Sequence, residues 1–296
     1  MEVREPVIVD VVRTAFGKRN GALRNWHPTD LLGFALKGLV ERTGVDPEIV
    51  DDVVGGCITQ SGEQGCNVTR NGWVAAGLPW HVPATTVDRQ CGSSQQAMHF
   101  VAASVMAGLY DVAIACGVES MSRAPMASNA KGGTGPFSQD FLQVVDGKLW
   151  AQFQVAQVLA DKWKITRDDM DEFALESHRR AAAATDSGHF AREILPVPVK
   201  DDDGTLTGDT LSVDEGIRRD TTLEKLASLA SAQGWDDAAP DITAGNSSQM
   251  TDGAAAMLIA DRATAERLGL PIRARFVHFA VGAEDPVLVL SAPNPV

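Results

Sequence analysis

The sequence predicts an α/β fold in which a parallel or mixed sheet is covered by helices on both faces. Three observations carry this. Short apolar runs at 6–12, 52–57, 85–88 and 112–116 alternate with segments whose apolar residues recur at helical spacing. The 296 residues are 44% hydrophobic, enough for a large core or two modest domains. Only 6% are aromatic, while Ala, Gly and Val abound, which suits tightly packed layers.

The elements follow in order. The β-branched run at 6–12 reads as a buried strand. Pro28-Thr29-Asp30 then leads into Leu31, Leu32, Ala35, Leu36, Leu39 and Val40, an apolar helical stripe with Thr29 or Asp30 as its cap and Gly44 as its stop. DVVGGC at 52–57 reads as a second strand. A third, at 85–88, runs at once into Cys91-Gly92-Ser93-Ser94 and an amphipathic helix through Ala97, Phe100, Val101, Ser104 and Val105. Gly108 precedes a fourth strand, VAIAC at 112–116.

Beyond Gly117, connections rich in Gly, Pro, Ser and Asp, such as KGGTGP and VKDDDGTLTGD, predict a loop-rich insertion over the sheet across 121–240. It holds one clear helix at 167–184, capped by Thr166 with Asp168 and Asp169 in its first turn. The alternation returns at DGAAAMLIA (252–260), which reads as a small-residue helix start running into a strand. A helix at 263–268, Pro271 and a strand at 272–280 complete the pattern.

Charge and cysteine usage narrow the function. A formal net charge of −13 argues against duplex DNA or an anionic membrane as partner, since both reward a basic face. No segment approaches the apolar length of a membrane span, and MEVREPVIVDVVRT lacks the apolar core of a signal peptide. The four cysteines, Cys57, Cys66, Cys91 and Cys116, show neither CxxC spacing nor a neighbouring histidine pair, so no metal site is expected. Free thiols in a reducing cytoplasm are the expectation.

Cys91 stands apart from the other three. It lies at a strand-to-helix turn before small residues, where free amide N–H groups and the positive helix end favour a thiolate. Gly92 lets a ligand approach the backbone, and those N–H groups could hold a developing oxyanion. The alternative is one more small buried residue, the usual fate of a free cysteine. Cys116, inside an apolar run, reads as core.

The residues also carry a family resemblance. TTVDRQCGSSQQAM, DVAIACGVESMSRAPM and ITAGNSSQMTDGAAAMLIADRATAERLGL resemble three successive blocks of the thiolase family, as do VIVDVVRTAFGKRNGAL and DDMDEFALESHRRAAAA. The resemblance implies a layered αβα fold with an inserted loop domain: a first half at 1–120 plus 241–270, a coenzyme A-binding loop domain at 121–240, and the start of a second half at 271–296. It implies acyl transfer on 3-ketoacyl-CoA or acetyl-CoA through an acyl-cysteine at Cys91, with coenzyme A as substrate and no further cofactor. Arg218 matches a residue near the adenine of coenzyme A, Ala244 a backbone position lining its channel, and Ser248 a serine beside the pantetheine and thioester. Read without the family, Ser248 is a turn residue and Arg218 a solvated charge. Ala151 and Gln152 stand where a His-Met pair borders the acyl pocket in the family, which implies a bulkier or more polar acyl group. Trp235 is a stand-in for a phenylalanine that packs on coenzyme A.

The family's Asn-Glu-Ala-Phe, Gly-His-Pro and second-cysteine blocks do not occur in these residues. They supply the base, an oxyanion-binding histidine and the cysteine that moves the α-proton. The expectation is therefore a C-terminally truncated chain with the second half largely missing, impaired in turnover, and a homodimer or homotetramer when complete. Alternatives are a non-catalytic acyl-CoA-binding remnant dependent on a partner, and a ketoacyl synthase-like condensing enzyme; the long insertion and ESMSRAP favour the thiolase.

Overall fold

The computed structural model describes residues 4–232 and 239–296. In chain order, strand β1 (Pro6–Thr14) and the two-residue β2 (Gly17–Lys18) precede helix α1 (Pro28–Thr43). Then come β3 (Asp52–Gly56), α2 (Val68–Ala75), β4 (Ala84–Val87), α3 (Ser93–Met106) and β5 (Val112–Ser120). Helices α4 (Gln139–Val144), α5 (Gln152–Trp163) and α6 (Arg167–Asp186) lead to the short strands β6 (Ile194–Leu195), β7 (Val197–Lys200) and β8 (Leu206–Leu211). The chain continues through α7 (Leu223–Ala227), β9 (Thr251–Asp261), α8 (Arg262–Arg267) and β10 (Ala274–Arg275). These elements form two units. The first holds the residues up to Asn129, Phe190–Gly216 and Met250–Phe279; the second holds the described residues of Ala130–His189, Ile217–Gln249 and Ala280–Val296.

The first unit is built on a mixed sheet in the order β10-β1-β9-β5-β3-β4. Strands β5, β3 and β4 run parallel, while β9 is antiparallel to both β5 and β1. Side chains alternate across the sheet with the strand period of two. On β5, Val112, Ile114, Cys116 and Val118 join the core made with α1 and α2, which includes Leu31, Leu36, Leu39 and Trp73. Ala113 and Ala115 face the other way, with Val54 and Ile259, onto Ala97, Val101 and Val105 of α3. Helices thus cover both faces, as the alternating pattern predicts. The α3 face carries the smaller residues, so α3 lies close to the sheet.

Helix ends follow local chemistry. At α1, His27 rather than Thr29 or Asp30 is the cap: its Nδ1 accepts the Thr29 N–H at 3.2 Å, and Pro28 takes the first helical position, where a missing N–H costs nothing. Gly44, at φ +66°, ends the helix with its N–H on Val40 O at 2.9 Å. In the second unit α6 opens with a reciprocal capping box. Thr166 Oγ1 accepts from Asp169 N at 3.2 Å, and Asp169 Oδ2 accepts from Thr166 N at 2.8 Å.

Two strand expectations are corrected. The stretch 252–260 contains no helix start; Thr251–Asp261 is strand throughout. It lies between β1 and β5, paired on both sides, and this ladder overrides the helical preference of its alanines. The strand expected at 272–280 shrinks to Ala274–Arg275, because only these residues pair with Val7 and Ile8 of β1. Of the apolar residues that follow, Phe276 packs against the core on the α3 side, and its ring stacks on Phe279 at 5.3 Å. Residues 190–216 group with the sheet unit. Strand β6 pairs with the end of β1, β7 and β8 form a hairpin, and Trp26 Nε1 donates to Pro198 O at 2.8 Å.

The chain's single tyrosine reports on one edge of this sheet. Tyr110 donates its hydroxyl to the Asp52 carboxylate at the start of β3. Burial first, then that carboxylate, pushes the phenol up to about 12. Between the unfolded value of about 10 and this folded value the folded chain holds the extra proton, so stability falls as pH rises through that window. Ultraviolet titration of tyrosinate should give a reversible midpoint near 12 in the folded chain and near 10 in urea. A folded-state midpoint at 10 contradicts the Tyr110–Asp52 contact.

Candidate active site

Cys91 lies in the turn between β4 and α3. The turn is closed by Gly92 N–H donating to Arg89 O at 2.7 Å. The Ser93 hydroxyl braces it, accepting from Arg89 N at 3.1 Å and donating to Arg89 O at 3.2 Å. Within this turn Cys91 sits at φ +62°, the left-handed region where a side chain is strained. The turn leaves Cys91 exposed at the head of a 14-residue helix. Gly92 is the N-cap and offers no side-chain acceptor, so first-turn N–H groups of α3 remain available to a ligand beside Cys91.

Two glycines on adjacent strands set how closely that helix start approaches the sheet. Gly56 of β3 and Gly117 of β5 are register partners, and both face α3. A Cβ at Gly56 would overlap Ser94 N and Ser93 C, and one at Gly117 would overlap the Ser94 hydroxyl. No larger residue fits between sheet and helix here. Beside this contact lies a cleft of about 290 Å³, in which Cys91 and Gly92–Gln95 meet the ends of β3, β5 and β9. Arg13, Phe16, Cys57, Ile58 and Glu119 are among the other residues that line it.

The charges in the cleft are held by partners. Arg13 donates bidentately to Asp214 at 2.8 and 3.1 Å and to Glu193 at 2.7 Å, and its guanidinium lies over Phe16, 5.1 Å from the ring centre. The Glu119 carboxylate accepts from Ile58 N at 2.8 Å, Thr59 N at 3.2 Å and Gln64 Nε2 at 2.9 Å. The cysteines divide accordingly. Cys57 and Cys116 are buried, and burial pushes both thiols far up, with Glu119 and then Asp88 adding to the shift at Cys57. Cys91 and Cys66 are exposed, and of these only Cys91 lines the cleft.

The other sequence-derived site residues fall in the second unit. Gln152 is exposed at the first position of α5, behind Ala151 as its N-cap. Arg218 is exposed, and its backbone N–H donates to His178 Nδ1 at 3.3 Å. Burial first, then the Arg218 charge, pushes the His178 imidazole down. Ala244 and Ser248 lie exposed on the segment that returns to β9. Trp235 lies outside the described residues. No hydrogen bond brings Gln152, Arg218, Ala244 and Ser248 together.

Composition and spacing overlooked the groups that fix the Ala244 turn. Asn246 is central: its Oδ1 accepts from Thr243 N at 2.8 Å, and its Nδ2 donates to Asp171 Oδ1 at 3.1 Å and Asp241 O at 3.0 Å. Asp171, 3% exposed, also accepts from Arg167 at 2.7 Å, and Gln157 exchanges hydrogen bonds with Asp241 at 2.9 Å in both directions. A buried carboxylate and a buried amide of this kind persist only when paired. Glu119, Gln64 and the Gly56–Gly117 pair were likewise missed around Cys91.

Among the described residues no group of three or more His, Cys, Asp and Glu side chains is placed to hold a metal ion. Nor is any helix long and apolar enough to cross a membrane.

Comparison with known proteins adds independent findings. Residues 6–263 match the family model described as "Thiolase, N-terminal domain". The chain is 42% identical over 299 residues to the steroid 3-ketoacyl-CoA thiolase FadA6 of Mycobacterium tuberculosis, covering 98% of this chain and 70% of that protein. It is 41% identical over 295 residues to a 3-ketoacyl-CoA thiolase of Pseudoalteromonas translucida, covering 99% of this chain and 74% of the relative. A 3-ketoacyl-CoA thiolase of Saccharophagus degradans is also 41% identical, over 297 residues, with 100% and 74% covered.

Proposed function

The chain belongs to the thiolase family, and from that premise we propose that it is an acyltransferase acting on 3-ketoacyl-CoA through an acyl-cysteine at Cys91. The observation that carries the assignment is the strained Cys91 turn at the uncapped start of α3, opening on a cleft. The Cys91 thiolate attacks the substrate's 3-keto carbonyl. The carbon–carbon bond breaks, the acetyl-CoA enolate takes a proton from solvent and leaves, and the acyl group remains on sulfur. Free coenzyme A, giving its thiol proton to solvent, then attacks this thioester and carries the acyl group away, returning the Cys91 thiolate. First-turn N–H groups beside Cys91 stabilise the oxyanion as each tetrahedral intermediate forms.

In this reading coenzyme A and acyl-CoA are substrates, and neither a metal nor another cofactor takes part. Arg218 reaches the adenine end of coenzyme A. Ala244 offers backbone along the pantetheine arm, and Ser248 a hydroxyl near the thioester. Gln152 borders the acyl group. The turn clamped through Asn246 and Asp171 gives Ala244 a fixed backbone. The setting is a reducing cytoplasm in which the four cysteines stay free, and the working form is a homo-oligomer.

Acyl transfer can be trapped directly. The chain should be incubated with acetyl-CoA for hours, quenched in acid and mapped by mass spectrometry. An acetyl group should appear on the Cys91 peptide at several times the occupancy of the Cys66 peptide. Equal occupancy at the two exposed thiols contradicts the assignment.

A further inference from the structure

Cys57 raises a question that the acyl-transfer reading leaves open. It lines the same cleft as Cys91, so a nucleophile other than the intended one stands beside the acyl group. A Cys57 thiolate attacking the Cys91 thioester would take the acyl group and release the Cys91 thiolate, stranding it on the wrong sulfur. The same pair is chemically able to form a disulfide if an oxidant removes two electrons and two protons.

The surroundings of Cys57 act against both outcomes. Cys57 follows directly on β3 and is 1% exposed. Its Sγ lies 3.8 Å from Glu119 Oε2, so the S–H has a carboxylate acceptor. The same carboxylate grips the next two residues through Ile58 N and Thr59 N. Gln64, fully buried, locks the arrangement: its Nε2 donates to Glu119 Oε1 and to Thr59 O, both at 2.9 Å, and its Oε1 accepts from Ser120 N at 2.7 Å. With four donors around two oxygens, Glu119 is an anchor rather than a free base. The other charges near this wall are Asp88, which also opposes a Cys57 thiolate, and Arg13, whose charge is directed onto Asp214 and Glu193.

We propose that Glu119 is a positioning residue that fixes 57–59 as one wall of the cleft and holds the Cys57 thiol against its carboxylate, so that the cleft presents one nucleophile instead of two. This rests on Cys91 being the acyl carrier. It adds that β5 supplies a group whose task is to silence the neighbouring thiol.

Glu119→Gln tests this in the full chain. The substitution keeps the size but faces Ile58 N or Thr59 N with an amide N–H, and removes the negative charge from the Cys57 sulfur. Wild type and variant are labelled with iodoacetamide at several pH values between 7 and 9.5, and each cysteine is quantified by peptide mapping. In wild type Cys57 should stay unlabelled while Cys91 reacts. In the variant Cys57 labelling should rise by about tenfold or more, the effect of a thiol shift of one unit or beyond, with a slope on pH. Cys116, three residues from Glu119 and buried by packing alone, should stay protected and so serves as the control for general loosening.

Cys57 unchanged in the variant overturns the proposal, as does Cys57 rising together with Cys116. If Glu119→Gln does not fold, Glu119→Asp keeps the charge at shorter reach. It should leave Cys57 at least partly silent, and labelling of Cys57 as fast as Cys91 in that variant also overturns the proposal. The Cys91 peptide in the same digests bears separately on the acyl-carrier assignment, since a Cys91 no more reactive than Cys66 counts against that reading alone.

Discussion

Replacing Cys91 with glycine should abolish acyl transfer and at the same time make the protein more stable. In the proposed function the Cys91 sulfur carries the acyl group, and a variant without it has no covalent route. Loss of about 10³-fold or more is the ordinary consequence of deleting a nucleophile that acts within a set. The stability effect comes from the backbone. A non-glycine residue at φ +62° is strained by about 1 kcal/mol or more, because its Cβ crowds the neighbouring carbonyl. Glycine removes this strain at the cost of greater freedom in the unfolded chain, so a net gain of some tenths to about 1 kcal/mol is expected. Cys91→Ala keeps the Cβ and the strain, and should lose activity without gaining stability. Urea denaturation of the three proteins, with acetyl trapping as the activity measure, separates the cases. Equal stability of the Gly and Ala variants would show that the turn holds no strain.

Gly56→Ala should damage both the fold and the site, and no change at Ser94 should repair it. The added methyl meets backbone atoms, overlapping Ser94 N and Ser93 C and lying 2.7 Å from Ser94 Cα, so the first turn of α3 must move away from the sheet. Overpacking of this kind costs about 1–3 kcal/mol. A displacement on the order of 1 Å at the nucleophile costs roughly 10²-fold in rate. Gly117→Ala makes the informative contrast. Its added methyl overlaps chiefly the Ser94 hydroxyl and lies 2.9 Å from Gly56 O. The double variant Gly117→Ala, Ser94→Gly should therefore recover part of the lost stability, whereas Gly56→Ala, Ser94→Gly should not. Melting temperatures and acetyl trapping for the four variants give the answer. Wild-type behaviour of Gly56→Ala would mean that α3 does not rest on the sheet as described.

The two experiments address one design from opposite sides. Gly56 and Gly117 let α3 sit deep enough for its N-terminus to border a cleft, and the strained turn then lifts the thiol into that cleft. A smaller sheet surface and a stressed loop are both unfavourable taken singly. Together they put the exposed Cys91 next to first-turn backbone donors, the arrangement that the proposed acyl transfer requires.

The sequence by itself determined much of this. Short apolar runs and 3.6-period stripes were enough to locate β1, α1, β3, β4, α3 and β5 and to place Cys91 at a strand-to-helix turn, because those patterns record which segments and faces are buried. Thr166 as the cap of α6 and Gly44 as the stop of α1 were equally legible, since capping is a contact between near neighbours. The tertiary structure alone decided the rest. DGAAAMLIA reads locally as a helix start running into a strand; its alanines take the strand form throughout because β1 and β5 flank it and leave space for little else. Ile272 to Ala280 looks like a strand, yet only its pairing partner on β1 sets how much of it becomes one. The anchoring of Cys57 by Glu119 spans 62 positions, and that of the Ala244 turn by Asp171 joins a loop to a distant helix through Asn246 at 75 positions. No periodicity encodes such contacts. A polar side chain between apolar neighbours announces only that it needs a partner, and the chain must fold before that partner has a name.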